Sequence, residues 1–190
     1  SRCPATRNRR YFKTCLPFFK GIVMISNYIQ PDLIKISEVL ELKKYYPYYK
    51  RTIVWYSYLT VCKQVDNIDH IYDMTRLKAM YRYLSCEGEC YYIKYKELIG
   101  DISLYHGKIA IVIAKEWQNR HLGRKCVQGI LERAKCIGYE QVEAEIYPFN
   151  IQSKKMFLSV GFVYSSKDKY VYNIERCFST KQRSALLSGV

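Results

Sequence analysis

Gln118-Asn119-Arg120-His121-Leu122-Gly123 is the stretch of this chain with the plainest chemical use. It follows an apolar run, Ile109–Ala114, and leads into a helical pattern that begins with Arg124-Lys125. A strand feeding a glycine-containing turn at a helix N-terminus suits a pyrophosphate. Unpaired N–H groups and the positive end of the helix dipole converge there. Further along, Asn150 heads a second helical segment carrying Ser153 and Phe157, which closes at Gly161-Phe162. Asparagine in that place accepts a hydrogen bond from the first turn. Glu145 interrupts the alternation of Val142, Ala144 and Ile146, so it points to the face opposite Ala144 and Ile146. An acid inside a central strand is a candidate general base; the plain alternative is a solvated or salt-bridged residue. Asp101 is a weaker candidate for the same task. Tyr147 is a candidate proton donor, although a chain with 20 tyrosines places many by chance. His70 and His106 lack partners at catalytic spacing and read as surface residues.

The elements that position these residues follow from periodicity. Asp73–Leu84 fits a helix, with Asp73 as N-cap and Leu77, Met80, Tyr81 and Leu84 at spacings of three and four. Leu33–Lys44 fits either a strand or a helix, and the spacing of Leu33, Ile36 and Leu40 favours the helix. Arg51–Gln64 is dense in aromatic and β-branched residues, with a lean toward helix. Three strands follow, Cys90–Tyr95, Ile99–Tyr105 and Lys108–Ala114. The last two join through His106-Gly107, short enough for a tight hairpin. The order then becomes helix (Leu122–Ile137, stopped by Gly138), strand (Gln141–Tyr147), helix (Asn150–Val160) and a hairpin of Phe162–Tyr164 with Tyr170–Ile174. The fold class expected is therefore α/β, in the α+β sense of a mixed sheet: an antiparallel meander, a βαβ crossover, then a C-terminal helix and hairpin.

Two separated motifs make this chain resemble the GNAT superfamily of acyl-CoA-dependent N-acyltransferases. The first is the Q/R-x-x-G-x-G/A pyrophosphate loop, matched by Gln118, Leu122 and Gly123. The second is N-x-x-A/S-x-x-x-Y/F with a G-F ending, matched by Asn150, Ser153, Phe157, Gly161 and Phe162. Each alone is weak; together, in order and on the right elements, they are specific. The resemblance spans about Ile99 to Ile174 strongly and Met24 to Gly88 more weakly.

The resemblance implies acetyl-CoA as cofactor and a primary amine as acceptor. Val112, Ile113 and Ala114 would offer backbone groups to the pantetheine arm. The loop from Gln118 and Asn119 through the amides of Arg120, His121, Leu122, Gly123, Arg124 and Lys125 would take the pyrophosphate, the three basic side chains adding charge. Asn150, with Ser153 and Phe157 on its helix, would border the thioester end. Glu145 and Tyr147 are the catalytic candidates, and no metal is expected. Two positions depart from the pattern. His121 stands where the family has its first glycine, which costs about 1–2 kcal/mol if φ must be positive. Phe157 stands where many members carry the tyrosine that protonates the thiolate.

Composition bounds the rest. A chain of 190 residues can hold one well-buried core, and 49% hydrophobic with 25% charged is ordinary for a globular protein. No run approaches the roughly 18 apolar residues of a membrane span. Of the net charge of +14, residues 1–23 carry +6 and residues 175–190 carry +2. These segments read as a basic, disordered leader and a basic tail around a domain at 24–174. The eight cysteines are scattered and read as buried apolar groups of a reducing, cytoplasmic compartment. Tyr45-Tyr46-Pro47-Tyr48-Tyr49-Lys50-Arg51 resembles a stacking platform for single strands, or a loop shaping the acceptor site.

The function expected is acetyl transfer from acetyl-CoA to a primary amine of a protein or small molecule, without membrane or nucleic-acid partners. Members of the family are often homodimers. Two alternatives stand beside it, a non-catalytic acyl-CoA-binding sensor and a basic nucleic-acid-binding protein.

Overall fold

A computed structural model describes residues 29–175. The expected leader, residues 24–28 of the expected domain and all of the tail after residue 175 lie outside the described residues. In chain order the elements are β1 (Leu33–Lys35), β2 (Leu40–Lys44), α1 (Tyr49–Thr52), α2 (Leu59–Asp66), α3 (Met74–Glu87), β3 (Gly88–Tyr95), β4 (Glu97–Tyr105), β5 (Lys108–Ile113), α4 (Leu122–Cys136), β6 (Gln141–Glu145), α5 (Ile151–Val160), β7 (Val163–Ser166) and β8 (Lys169–Asn173). A 3-10 turn at Lys115–Trp117 links β5 to the approach of α4. The eight strands form one sheet in the order β1-β2-β3-β4-β5-β6-β8-β7. The β5–β6 pair alone is parallel, joined by the α4 crossover. The mixed α/β sheet read from the periodicity is thus the observed architecture.

Local chemistry accounts for most boundaries. Asp73 caps α3 by accepting from the Arg76 amide at 2.7 Å. Leu77, Tyr81 and Leu84 form its buried stripe. α4 buries Cys126, Val127, Ile130, Leu131 and Ala134. α5 ends where Gly161 takes φ +109°, a left-handed cap that glycine adopts without steric cost.

The N-terminal quarter departs from its pattern. Leu33–Lys44 is the β1–β2 hairpin rather than a helix. Leu40 and Leu42 are fully buried at a spacing of two, opposite Tyr95 and Ile93 of β3. Ser37 Oγ accepts from the Leu40 amide at 3.2 Å and helps close the turn. Glu38, which would share the face of Leu40 and Leu42 in an unbroken strand, lies exposed in that turn. Pairing with a strand fifty residues away outweighs the weak helical spacing. Arg51–Gln64 is likewise two short helices broken at Ile53–Tyr58, because Trp55 and Tyr56 turn inward and are almost wholly buried.

Helices cover both faces. α4 and α5 lie on one, over Leu42, Ile93, Ile102, Leu104, Ile109 and Val142. α1, α2 and α3 lie on the other, with Trp55, Tyr56, Tyr81, Tyr92 and Val112. The middle of α4 is tied to β3 by a partly buried ion pair, Arg133 to Glu89 at 2.5 Å. The Tyr91 hydroxyl donates to the same carboxylate at 2.6 Å. A Cβ on Gly100 of β4 would stand 2.0 Å from the Val112 carbonyl, so glycine there is what lets β5 lie at its observed distance.

Candidate active site

The turn His106-Gly107 takes φ of +48° and +74°, the two-residue geometry of the tightest hairpins. Such a turn makes Tyr105 and Lys108 its last hydrogen-bonded pair. Alternation then assigns the β4–β5 bonds to Ser103–Ala110 and Asp101–Val112. The peptide groups of Ile109, Ile111 and Ile113 accordingly point the other way, toward β6. There the two strands meet at one register position, Lys108 with Glu143, where the Glu143 amide donates to the Gly107 carbonyl at 2.7 Å. Beyond it the strands part. The Ile111 and Ile113 peptide groups face the opening, and the Ile113 carbonyl accepts from the Gln118 side-chain amide at 2.9 Å. Val112 and Ala114 turn their backbone toward β4, the Ala114 amide donating to the Ile99 carbonyl at 2.7 Å. Their side chains join the α1–α3 face.

The turn before α4 stands at one end of this opening. Asn119 and His121 both lie in the left-handed region, at φ +59° and +58°. For His121 that carries a strain of about 1–2 kcal/mol which glycine would not have. His121 occupies the N-cap of α4 yet makes no side-chain capping bond, and no acid lies in the first turn. The amides of Leu122, Gly123 and Arg124 therefore have no intrahelical acceptor, and exposed Arg124 and Lys125 surround them. Arg120 lies over the Trp117 ring at 4.7 Å, and Gln152 of α5 donates to Asn119 Oδ1 at 2.9 Å. This is a basic helix N-terminus with N–H groups that have no intrahelical acceptor, the chemistry a phosphate ester takes.

Across the opening, Asn150 caps α5 by accepting from the Ser153 amide at 3.1 Å, and its Nδ2 points to the Gln64 carbonyl of α2 at 3.5 Å. Phe157 is in the core, edge-on to Phe162 at 4.9 Å, and offers no proton. Val142, Ala144 and Ile146 are buried toward α4 and α5, which puts Glu145 on the α1–α3 side, exposed at the end of β6. Tyr147 stacks on Phe149 with ring centroids 5.6 Å apart. Burial raises its phenol above the ordinary range, and the charges of Glu145, Asp66 and Asp168 add to that. Thus Gln118–Lys125 gathers with the Ile113 edge, while Glu145, Tyr147 and Asn150 border the other strand; Phe157 stands apart.

A third group was only partly legible beforehand. Asp101 of β4 is 5% exposed and has no cation partner among the described residues. The Tyr56 hydroxyl donates to its two oxygens at 3.1 and 3.0 Å, and the Tyr81 hydroxyl to Oδ2 at 2.6 Å. Desolvation pushes the carboxyl up to about 6, while the two phenol bonds pull the other way. The signal was present: an acid inside the apolar run Ile99–Leu104 needs buried donors, and Tyr81 sits on the core stripe of α3.

A family model described as an acetyltransferase (GNAT) domain matches residues 41–163, more than half of the chain. The chain belongs to the GNAT superfamily, as an N-acetyltransferase. Solved GNAT structures share its fold. The acetyltransferase (GNAT family) from Bacillus anthracis superposes with a TM-score of 0.62 at 15% identity, covering 74% of this chain and 96% of that one. A Salmonella typhimurium acetyl transferase that modifies the N-terminal serine of a ribosomal protein gives 0.62 at 14% identity, covering 75% and 99%. The spermidine N-acetyltransferase of Vibrio cholerae, in complex with CoA and spermine, gives 0.60 at 13%, covering 71% and 93%. By sequence, no curated protein matches this chain.

The Tyr45–Arg51 cluster of this GNAT chain is tied into the fold. Tyr45 stacks on Tyr81 and bonds Tyr49, while the Tyr46 carbonyl accepts from the buried Tyr92. Only Tyr46 and Tyr48 of the group present half-exposed rings. No helix among the described residues is long and apolar enough to cross a membrane.

Proposed function

We propose that this GNAT enzyme transfers an acetyl group from acetyl-CoA to a cationic primary amine. The observation that carries the reading is the parted β5–β6 edge lying against an uncapped, basic helix N-terminus. The residues present fit the cofactor. The peptide group of Ile111 and the amide of Ile113 face the opening and suit an amide-bearing pantetheine arm, while the Ile113 carbonyl is held by Gln118. Neighbouring Val112 and Ala114 form the wall behind that edge. The turn from Gln118 through Lys125 offers amides and positive charge for the pyrophosphate, with Asn119 and Gln152 holding its shape. Asn150 holds α5 and the end of α2 beside the thioester end, with Ser153 in the first turn of α5 and Phe157 behind it. When bound, the thioester supplies an activated acyl carbon.

The chain's residues then orient, exclude water and handle protons. α2 and α3 close the α1–α3 face, and Asp66, Glu145 and Asp168 lie near enough to influence Tyr147. Asp66 of this set is already paired with Arg76 at 2.9 Å, which leaves Glu145 and Asp168 to attract an ammonium group, and Glu145 can take its proton where it enters. Tyr147, kept protonated by its surroundings, can give one to the departing sulfur. Holding amine and acyl carbon together supplies most of the rate.

A binding-only sensor is the second reading, supported by the strained His121 and by the donor-less Phe157. Thiol release decides between the two. The panel is an unblocked peptide, a lysine peptide with a blocked N-terminus, spermidine and an aminoglycoside. The expected result is release of CoA thiol that depends on one of these amines and saturates with it. Saturable acetyl-CoA binding with release no faster than hydrolysis for every amine would favour the sensor.

A further inference from the structure

The loop Tyr46-Pro47-Tyr48 presents two tyrosine rings that the acetyl-transfer scheme leaves unused. Each is 47% exposed, whereas Tyr56, Tyr81, Tyr91 and Tyr92 are all but fully buried. The two rings lie nearly parallel, 18° apart in plane, with centroids at 6.1 Å. The backbone that presents them is fixed. Pro47 restricts its own φ and the residue before it. The Tyr46 carbonyl accepts from the buried Tyr92 hydroxyl at 2.7 Å, and the Tyr48 carbonyl accepts from the Arg51 and Thr52 amides of α1. The Tyr46 ring also meets Tyr92 edge-on at 5.3 Å. Two aromatic faces are thus held out to solvent with little left to order on binding.

Lysines surround them. Lys43 of β2 is register-paired with Tyr92, so it shares the face that Tyr46 covers. On the same face Lys94 of β3 and Lys35 of β1 stand opposite Glu41, one on each side. The hydrogen bond from Lys94, with the charges of Lys94, Lys43 and Lys35, holds the Glu41 carboxyl below its ordinary range. Lys50 is exposed in α1, and Lys78 of α3 lies over the Tyr49 ring at 5.5 Å. Against these stand Glu41 and, in the β1–β2 turn, Glu38; Glu97 is already paired with Arg51. The surface is net positive.

Such a surface fits an anionic chain that carries flat apolar faces. A single polynucleotide strand has both, phosphates for the lysines and unpaired bases for the rings. A duplex turns its base faces inward, and a lipid headgroup has none. Phosphates and base faces are common to RNA and DNA, so the sugar is not selected. The surface is also separate from the acetyl-transfer opening, because β4 and β5 stand between β3 and the parted edge. We propose that the β1–β3 face with the Tyr46-Pro47-Tyr48 loop binds single-stranded nucleic acid, one base on each exposed ring and phosphates on the lysines. Strand and acetyl-CoA can then be held at once, and the inference stands independently of the acetyltransferase reading.

The test is the anisotropy of a labelled single-stranded RNA of about 12 nucleotides, titrated with the full chain at several salt concentrations. Unlabelled duplex of the same sequence serves as competitor and should compete poorly. Tyr46→Ala/Tyr48→Ala should weaken binding at least about 30-fold and leave the salt slope unchanged. Lys35→Gln/Lys43→Gln should lower that slope by about 1.4, two single-strand phosphate contacts at about 0.7 each. Acetyl-CoA titrations and melting curves of both variants should match wild type, since neither pair lies at the opening. Binding that survives in the tyrosine variant overturns the proposal and places the affinity in basic segments outside the described residues. Equal competition by duplex, or no RNA binding by the wild type, overturns it as well. Should the double tyrosine variant fail to fold, Tyr48→Ala alone decides, by a loss of at least about 5-fold. Failure of acetyl transfer on every amine would leave these results standing.

Discussion

Gly123→Glu should weaken acetyl-CoA binding by at least about 100-fold, close to 3 kcal/mol, and leave the fold intact. Gly123 is the second residue of α4, among the amides assigned to the pyrophosphate. A carboxylate there sets a negative charge against a negative ligand, at the place where the helix dipole otherwise favours an anion. The fold has room for the side chain. An added Cβ meets only Ile111 Cδ1 and Ile113 Cγ1, both at 3.8 Å, which is ordinary contact. Calorimetric titration gives the affinity and a melting curve gives the fold. Loss of binding with an unchanged melting curve is the expected pair of results. Wild-type affinity in this variant would place the pyrophosphate elsewhere.

The second large effect concerns stability. Asp101 has its carboxyl raised from 3.8 to about 6 in the folded protein. A raised carboxyl pKa means that the folded state binds this proton more tightly than the unfolded chain does. Its contribution is therefore fully present below the unfolded pKa and is lost as pH rises through about 6. At pH 8 the ionised group costs on the order of 3 kcal/mol. Asp101→Asn removes that cost, and the phenol oxygens can accept from its amide. Denaturant melts should find the variant more stable than wild type at pH 8. The gap should narrow by on the order of 1 kcal/mol between pH 7 and pH 5. A variant less stable than wild type at pH 8 would contradict the assignment of an uncompensated charge. A protein that keeps such a group gives up stability for it, as functional sites commonly do.

How far the sequence carried the argument depends on the range of each interaction. α3, α4, α5 and the His106-Gly107 hairpin were legible because each is set by its own cap, stripe or turn. Asp73, Asn150, Gly138 and Gly161 stand within or beside the helices they delimit. Leu33–Lys44 was misread because its state is decided by β3, through Leu40 on Tyr95 and Leu42 on Ile93. The break at Ile53–Tyr58 had the same origin, since Trp55 and Tyr56 fold inward onto residues far along the chain.

In the candidate site, the Gln118–Lys125 turn could be read from local spacing. The phase of the β5 edge could not, because it follows from which pair flanks the hairpin turn. That phase turns Ile111 and Ile113 toward the opening and Val112 toward β4. The Asp101 cluster was the least legible: its donors lie 45 and 20 residues away, on elements whose packing no local pattern specifies.

The measurement that bears most directly on the whole account is calorimetric titration of the wild-type protein with acetyl-CoA at physiological salt, with adenosine lacking phosphates as control. The account predicts saturable, one-to-one binding in the micromolar range and none for the control. Absence of binding would mean that the left-handed His121 has closed the phosphate turn to its ligand. The acetyltransferase mechanism would then have no acyl donor in this fold.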